Sequence, residues 1–234
     1  LEEAVERSVA GLERKSRVLN EKERKIVAYH EAGHALVGEI LPEANPVQKI
    51  SIVSRGVAAL GYTLNMPIED RYLMTREELE DTLSSILGGR AAEEIVFSEI
   101  STGASNDLQQ ATNMAERMVK EYGMSERLGL VAHREDRGQQ QFLGGNGADR
   151  AYSEETARAI DEEVGRIIRQ GYQRAKTILE QQRDSLEKVV QILFEKEVMD
   201  GDELRQVLRE AGVELNEQKA TQQQAQTDIQ EVPA

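Results

Sequence analysis

The sequence predicts a mainly α fold: a helical domain with a small β hairpin or pair of edge strands, closed at its C-terminal side by antiparallel helices. Three observations predict it. Apolar residues recur at spacings of three and four over long stretches, as on one face of a helix. Capping signatures precede two of those stretches, Asn20 with Glu23 and Thr75 with Glu78. Only two segments are β-rich, and both are short.

In chain order, residues 1–15 read as a helix with Val5, Val9 and Leu12 on one side. Asn20 caps the next helix, which runs to about Leu41 and stops at Pro42. Ile26, Val27, Val37, Ile40 and Leu41 supply its apolar side. Residues 49–53 and 61–66 are the β-rich pair, with Pro67 ending the second. A helix then runs from Thr75 through Leu79, Leu83, Ile86 and Leu87 toward Ile95, with an expected interruption at Gly88-Gly89. Ser105 is placed to cap a helix reaching about Tyr122, and residues 123–150 read as a long surface loop. Ser153 opens the longest helix, with Ala157, Ile160, Val164, Ile167, Gly171, Ala175 and Ile178 in register. That stripe reads as bundle core. Leu186, Val189, Val190, Leu193 and Phe194 make an antiparallel partner, and Asp200 caps a last helix over 201–211. From about Asn216 the chain is Gln-rich, polar and expected to be disordered.

Composition narrows the function. Aromatic residues make up 4% of the chain and Trp is absent, so the core is built from Leu, Ile, Val, Ala and Met. The net charge of −14 repels nucleic acid and anionic lipid. Without Cys there are no disulfides and no thiolate metal sites. No run approaches 18 apolar residues, so no membrane span is expected within the chain. The sequence starts Leu1-Glu2-Glu3-Ala4, without an initiator Met, and is expected to be a piece of something longer. No G-x-x-x-x-G-K-[ST] phosphate loop is present.

The chemistry concentrates in His30-Glu31-Ala32-Gly33-His34, an H-E-x-x-H pattern. On a helix the two imidazoles share a face and can hold one ion, with Glu31 beside them as general base. A catalytic zinc site needs three protein ligands plus water. The metzincin arrangement fails, because the residue six after His34 is Ile40. His133 sits in a charged stretch and reads as a solvated loop histidine. Glu93 and Glu94 lie on a helix that can pack beside the first; the plain alternative is a solvated or salt-bridged pair near Arg90. Asp107 lies in the first turn of a helix, where the helix dipole alone explains a carboxylate. The residues themselves leave the Glu pair and Asp107 open as third ligand. The β segments can be a structural hairpin, or an edge that takes an extended peptide by strand addition.

Several segments resemble one family. They are Val27-Ala28-Tyr29 with the H-E-x-x-H, Lys49-Ile50-Ser51-Ile52-Val53, Gly61-Tyr62-Thr63, and Glu69-Asp70-Arg71-Tyr72-Leu73-Met74. Leu87-Gly88-Gly89-Arg90-Ala91-Ala92-Glu93-Glu94, Ser101-Thr102-Gly103-Ala104-Ser105-Asn106-Asp107-Leu108 and Glu121-Tyr122-Gly123-Met124-Ser125 follow in the family's order. Over about residues 1–213 the chain is similar to the peptidase part of bacterial FtsH-type membrane-anchored ATP-dependent zinc metalloproteases. The resemblance implies one Zn2+ per subunit held by His30, His34 and Asp107, with Glu31 catalytic. It implies a homo-hexamer that degrades unfolded membrane and cytosolic proteins in protein quality control. ATP would act only through an ATPase module outside this chain. The anchor, likewise outside it, would be in the bacterial inner membrane, with this domain on the cytoplasmic side. Residues 1–15 then correspond to the end of a linker or ATPase lid helix, 16–213 to the metallopeptidase domain and 214–234 to a polar tail. Two alternatives stand beside it: a self-contained gluzincin-type hydrolase with Glu93 or Glu94 as third ligand, and a helical scaffold with a silent H-E-x-x-H.

Overall fold

The computed structural model describes residues 20–54, 60–66, 73–98, 101–133 and 152–215. The expected helix over 1–15, most of the loop over 123–150 and the polar tail lie outside these residues. The order of elements is α1 (Glu21–Ile40), β1 (Val47–Ser51), β2 (Tyr62–Asn65), α2 (Arg76–Phe97), α3 (Ser105–Lys120), α4 (Glu154–Gln181), α5 (Arg183–Lys196), β3 (Val198–Asp200) and α6 (Gly201–Glu210). The fold is mainly α, as the sequence predicts.

α1 starts in a complete capping box. The Glu23 N–H donates to Asn20 Oδ1 at 2.8 Å, and the Asn20 N–H donates to Glu23 Oε2 at 3.2 Å. The helix ends as Leu41 turns extended ahead of Pro42. From Val27 to Glu39 it is buried on nearly every side, apart from the partly open His30 and His34. It is the central helix of the domain. α2 crosses it at a point where both helices carry glycine. A Cβ on Gly33 would stand 2.5 Å from the Gly88 carbonyl oxygen, and one on Gly88 would stand 2.6 Å from that of Gly33. Gly88-Gly89 therefore does not interrupt α2, which is continuous from Arg76 to Phe97. The pair is there for close approach, and tertiary packing overrides the helix-breaking tendency of glycine.

α3 begins at Ser105, with Ala104 in the capping position and no side-chain cap bond. The expected Ser105 cap is thus displaced by one residue, and the first turn is instead occupied by Asp107. α4 is capped by Ser153, whose Oγ accepts from the Thr156 N–H. A single residue, Gln182, separates it from α5, which buries Leu186, Val189 and Leu193 in the cluster around α1.

β1 pairs antiparallel with β2, with Ile50 opposite Thr63. It also pairs antiparallel with β3, with Ile50 opposite Met199, giving the order β2-β1-β3. The segment at 49–53 is therefore a central strand and not an edge. The sequence gives no hint of β3: three residues carry no readable alternation.

Two hydrophobic clusters form the core. One gathers α1, β1, α5 and α6 around Leu36, Ile50, Leu186, Leu193 and Leu204. The other joins α3 to the N-terminal halves of α2 and α4 through Leu83, Leu87, Met118 and Ile160. α2 and α4 run through both, with Ala91, Ala92, Ala175 and Leu179 in the first.

Candidate metal centre

His30 and His34 stand one turn apart on the α1 face that meets α2, their rings edge to face with centroids 4.6 Å apart. Each ring is anchored through Nδ1. His30 Nδ1 lies 2.7 Å from Glu93 Oε1, and His34 Nδ1 lies 2.9 Å from the Ser85 carbonyl oxygen. Carboxylate and carbonyl oxygens only accept, so both rings are assigned as Nδ1–H tautomers. The Gly89 N–H lies 3.3 Å from His34 Nδ1, a longer contact than the one to Ser85. The shorter contact, to a group that cannot donate, decides the tautomer.

Both Nε2 lone pairs are then left facing each other, 3.0 Å apart. Asp107 Oδ2 joins them at 3.1 Å from His30 Nε2 and 3.5 Å from His34 Nε2. Three electron-rich atoms converge on a point that favours positive charge. A proton on Nε2 is one way to supply that charge: burial works against a charged His30, yet the hydrogen bonds of the protonated ring to Asp107 and Glu93 outweigh it and raise its pKa to about 10. Burial likewise opposes the Asp107 carboxylate, but its hydrogen bonds with His30 and His34 hold it well below the usual carboxylate range. A tetrahedral zinc ion with ligand bonds of about 2.0–2.1 Å spaces its donors about 3.3 Å apart. The separations of 3.0, 3.1 and 3.5 Å fit that spacing. Among the described residues, this is the group of three His or acidic side chains whose donor atoms all lie within 4.8 Å of one another.

Glu93 does not reach this point. It is 1% exposed and spans two elements: one oxygen takes the His30 ring, and the other accepts from the Ser101 N–H at 3.0 Å. Ser101 begins the loop that leads to Asp107. Partial burial opposes the charged form, but the His30 and Ser101 bonds hold the Glu93 carboxyl below its ordinary value. Of the two plain readings of Glu93, solvated or salt-bridged, the structure excludes the first: crossing α1 buries it and pairs it with the His30 ring. Glu94 points to the other side, toward Tyr172 and Lys176 of α4. His133 packs against Tyr152, with ring centroids 5.6 Å apart, away from the cleft.

Glu31 is 7% exposed and lines the same cleft of about 860 Å3 as His30, His34 and Asp107. Burial raises its pKa above the ordinary value, against the pull of His30, His34 and Thr63. Thr63 Oγ1 on β2 donates to Glu31 Oε2 at 2.8 Å and lies 3.2 Å from the Glu31 carbonyl oxygen. Two residues of this site are not evident from sequence. Thr63 reads only as a β-former. Gly89 reads as a helix breaker, yet a Cβ there would stand 2.5 Å from His34 Nε2 and 2.7 Å from His30 Cε1.

The family model described as peptidase family M41 matches residues 17–207, most of the chain. The chain belongs to peptidase family M41. Among its M41 relatives, the "ATP-dependent zinc metalloprotease FtsH 4" of Synechocystis is 57% identical over 209 residues, covering 88% of this chain and 33% of that protein. The "ATP-dependent zinc metalloprotease FtsH" of Syntrophobacter fumaroxidans is 53% identical over 210 residues, covering 89% and 32%. The protein of the same name from Thermotoga maritima is 51% identical over 210 residues, covering 89% and 34%. This M41 chain thus spans about a third of the length of these relatives. No helix among the described residues is long and apolar enough to cross a membrane.

Proposed function

We propose that this M41 chain is a zinc-dependent endopeptidase in which His30, His34 and Asp107 hold the metal and Glu31 is the general base. One observation carries the reading: two Nε2 atoms and one carboxylate oxygen converge beside a buried glutamate in an open cleft. Zinc held by His30, His34 and Asp107 would supply the Lewis acidity that polarises a carbonyl and makes water a better nucleophile. Glu31 takes a proton from the attacking water and passes it to the leaving amine. Burial raises its pKa above the ordinary carboxylate value, which makes it the stronger proton acceptor. Glu93 and the Ser85 carbonyl fix the two ring orientations, and the Glu93–Ser101 bond ties the segment leading into α3, the helix that carries Asp107, to α2.

The substrate reading follows from the sheet. β2 borders the cleft, and no strand lies on its far side among the described residues. An extended peptide adding to that edge is held through its main chain, which gives broad sequence tolerance. Such an edge suits unfolded segments; that these come from membrane and cytosolic proteins is what the family resemblance implies. The relatives' names carry ATP dependence, which we extend to the whole protein to which this chain belongs. A homo-hexameric ring and an inner-membrane anchor outside these residues come from the family resemblance.

Glu31→Gln is expected to keep stoichiometric zinc while peptide hydrolysis falls by about 10²- to 10⁴-fold. Asp107→Ala is expected to lose zinc. Elemental analysis and cleavage of a short unstructured peptide read both. Full zinc occupancy in Asp107→Ala would transfer the third-ligand role elsewhere, and normal turnover in Glu31→Gln would end the general-base assignment.

A further inference from the structure

We infer that Thr63 is a positioning residue for Glu31, and that β2 thereby couples the peptide-binding edge to the base; this rests on the function proposed above. The Thr63 hydroxyl donates to Glu31 Oε2 at 2.8 Å and sits 3.2 Å from the Glu31 main-chain oxygen. A carboxylate next to two metal-ligating rings has several rotamers open to it. A donor on Oε2 selects one of them.

The strand is fitted to this task. Gly61 leads into β2 directly against the base: a Cβ there would stand 2.9 Å from both Glu31 Cγ and Glu31 Oε1, and 2.7 Å from Val27 Cγ1. A side chain there would force Glu31 or Val27 to move, so β2 lies on the Glu31 stem. Thr63 pairs with Ile50 in the central strand, and Ile50 is fully buried in the core. The hydroxyl is therefore held on a strand rooted in the core, and that same strand lies at the sheet's edge. The edge offered to a peptide and the hydroxyl that orients the base therefore belong to one strand, which ties where a substrate docks to how the base is aligned.

The test uses the zinc-loaded protein, a short extended peptide substrate, and two variants. Thr63→Val keeps the shape and removes the donor, and Thr63→Ser keeps the donor. In Thr63→Val, kcat is expected to fall about 10- to 100-fold, with KM within about twofold. Zinc content and Tm should stay at the parent values, and Thr63→Ser should recover most of the rate. A readout apart from turnover is the affinity for a peptidyl hydroxamate, whose hydroxyl proton passes to a neighbouring carboxylate on binding. Its Kd should weaken in Thr63→Val by the same factor as kcat, while the Kd of the matching carboxamide is unchanged. Parent-like kcat in Thr63→Val overturns the inference. So does loss of zinc in Thr63→Val, a defect confined to KM, or a Thr63→Ser variant as impaired as Thr63→Val. Glu31→Gln separates the two levels. If it is inactive while Thr63→Val is normal, only the role of Thr63 falls; if it is active, the proposed function falls with it.

Discussion

A methyl group on Gly89 would stand 2.5 Å from His34 Nε2, with His30 Cε1 at 2.7 Å and His30 Nδ1 at 2.8 Å. Neither ring can swing aside, because Glu93 and the Ser85 carbonyl hold their far nitrogens. Helix propensity favours alanine here by about 0.8–1.0 kcal/mol. Overpacking a fixed site costs about 1–3 kcal/mol. The clash wins, and it falls on the ligand rings. Gly89→Ala is expected to stay helical by circular dichroism while its zinc stoichiometry drops sharply; parent-level zinc would refute it. At this scale the H-E-x-x-H was readable because its ligands are four residues apart on one helix. Asp107 had two explanations until the fold brought it to the rings. The partnership of Thr63 with Glu31 spans 32 positions, and no local spacing reports such a contact.

Among elements, the last helix holds the sheet in place. Arg205 of α6 is 5% exposed and Glu39 of α1 is 1% exposed, and they pair at 2.9 Å. Glu39 Oε1 also accepts from the Val47 N–H at 2.7 Å, and Arg205 donates to the Val47 carbonyl at 3.2 Å. α1, β1 and α6 therefore meet at one buried ion pair. Removing one partner leaves an uncompensated buried charge, a loss of about 3–5 kcal/mol. Arg205→Met is expected to lower the denaturant midpoint accordingly. Adding Glu39→Gln should recover most of that loss, since it removes the charge but keeps an acceptor for Val47. A double variant no more stable than Arg205→Met alone would refute the ion-pair account. The helices were legible because each carries about three or more turns of period and most begin with a readable cap. Gly88-Gly89 was misread because the reason for those glycines lies in α1. β3 was missed because its pairing with β1 is entirely non-local.

On the scale of the whole molecule, the candidate ligands come from different parts of the core. His30 and His34 belong to the helix at the centre of the first hydrophobic cluster, and Asp107 opens a helix whose buried residues lie in the second. Saturating zinc at about a thousand times its Kd stabilises the folded state by about 4 kcal/mol. For a domain of this size that corresponds to roughly 10 °C in Tm. Chelation by EDTA is expected to lower the melting temperature by that order, and a Tm indifferent to chelator would count against a metal in this position. Fold class and element order were largely legible in the sequence; the spacing of His30 and His34 marks them as a candidate ligand pair, while Asp107 joins them only through the family resemblance. The division of the core was not, because α2 and α4 serve both clusters with one continuous periodicity.

That division makes the ion a rivet between two blocks that are each already packed. Pulling it should leave both blocks standing and loosen only the seam. Amide hydrogen exchange of the metal-stripped protein should therefore accelerate first along α3, which is anchored in one block alone, while α1 stays protected. Proteolytic power would then be lost well before the fold is, and a chelated sample could look sound by its helix content while its scissors have come apart.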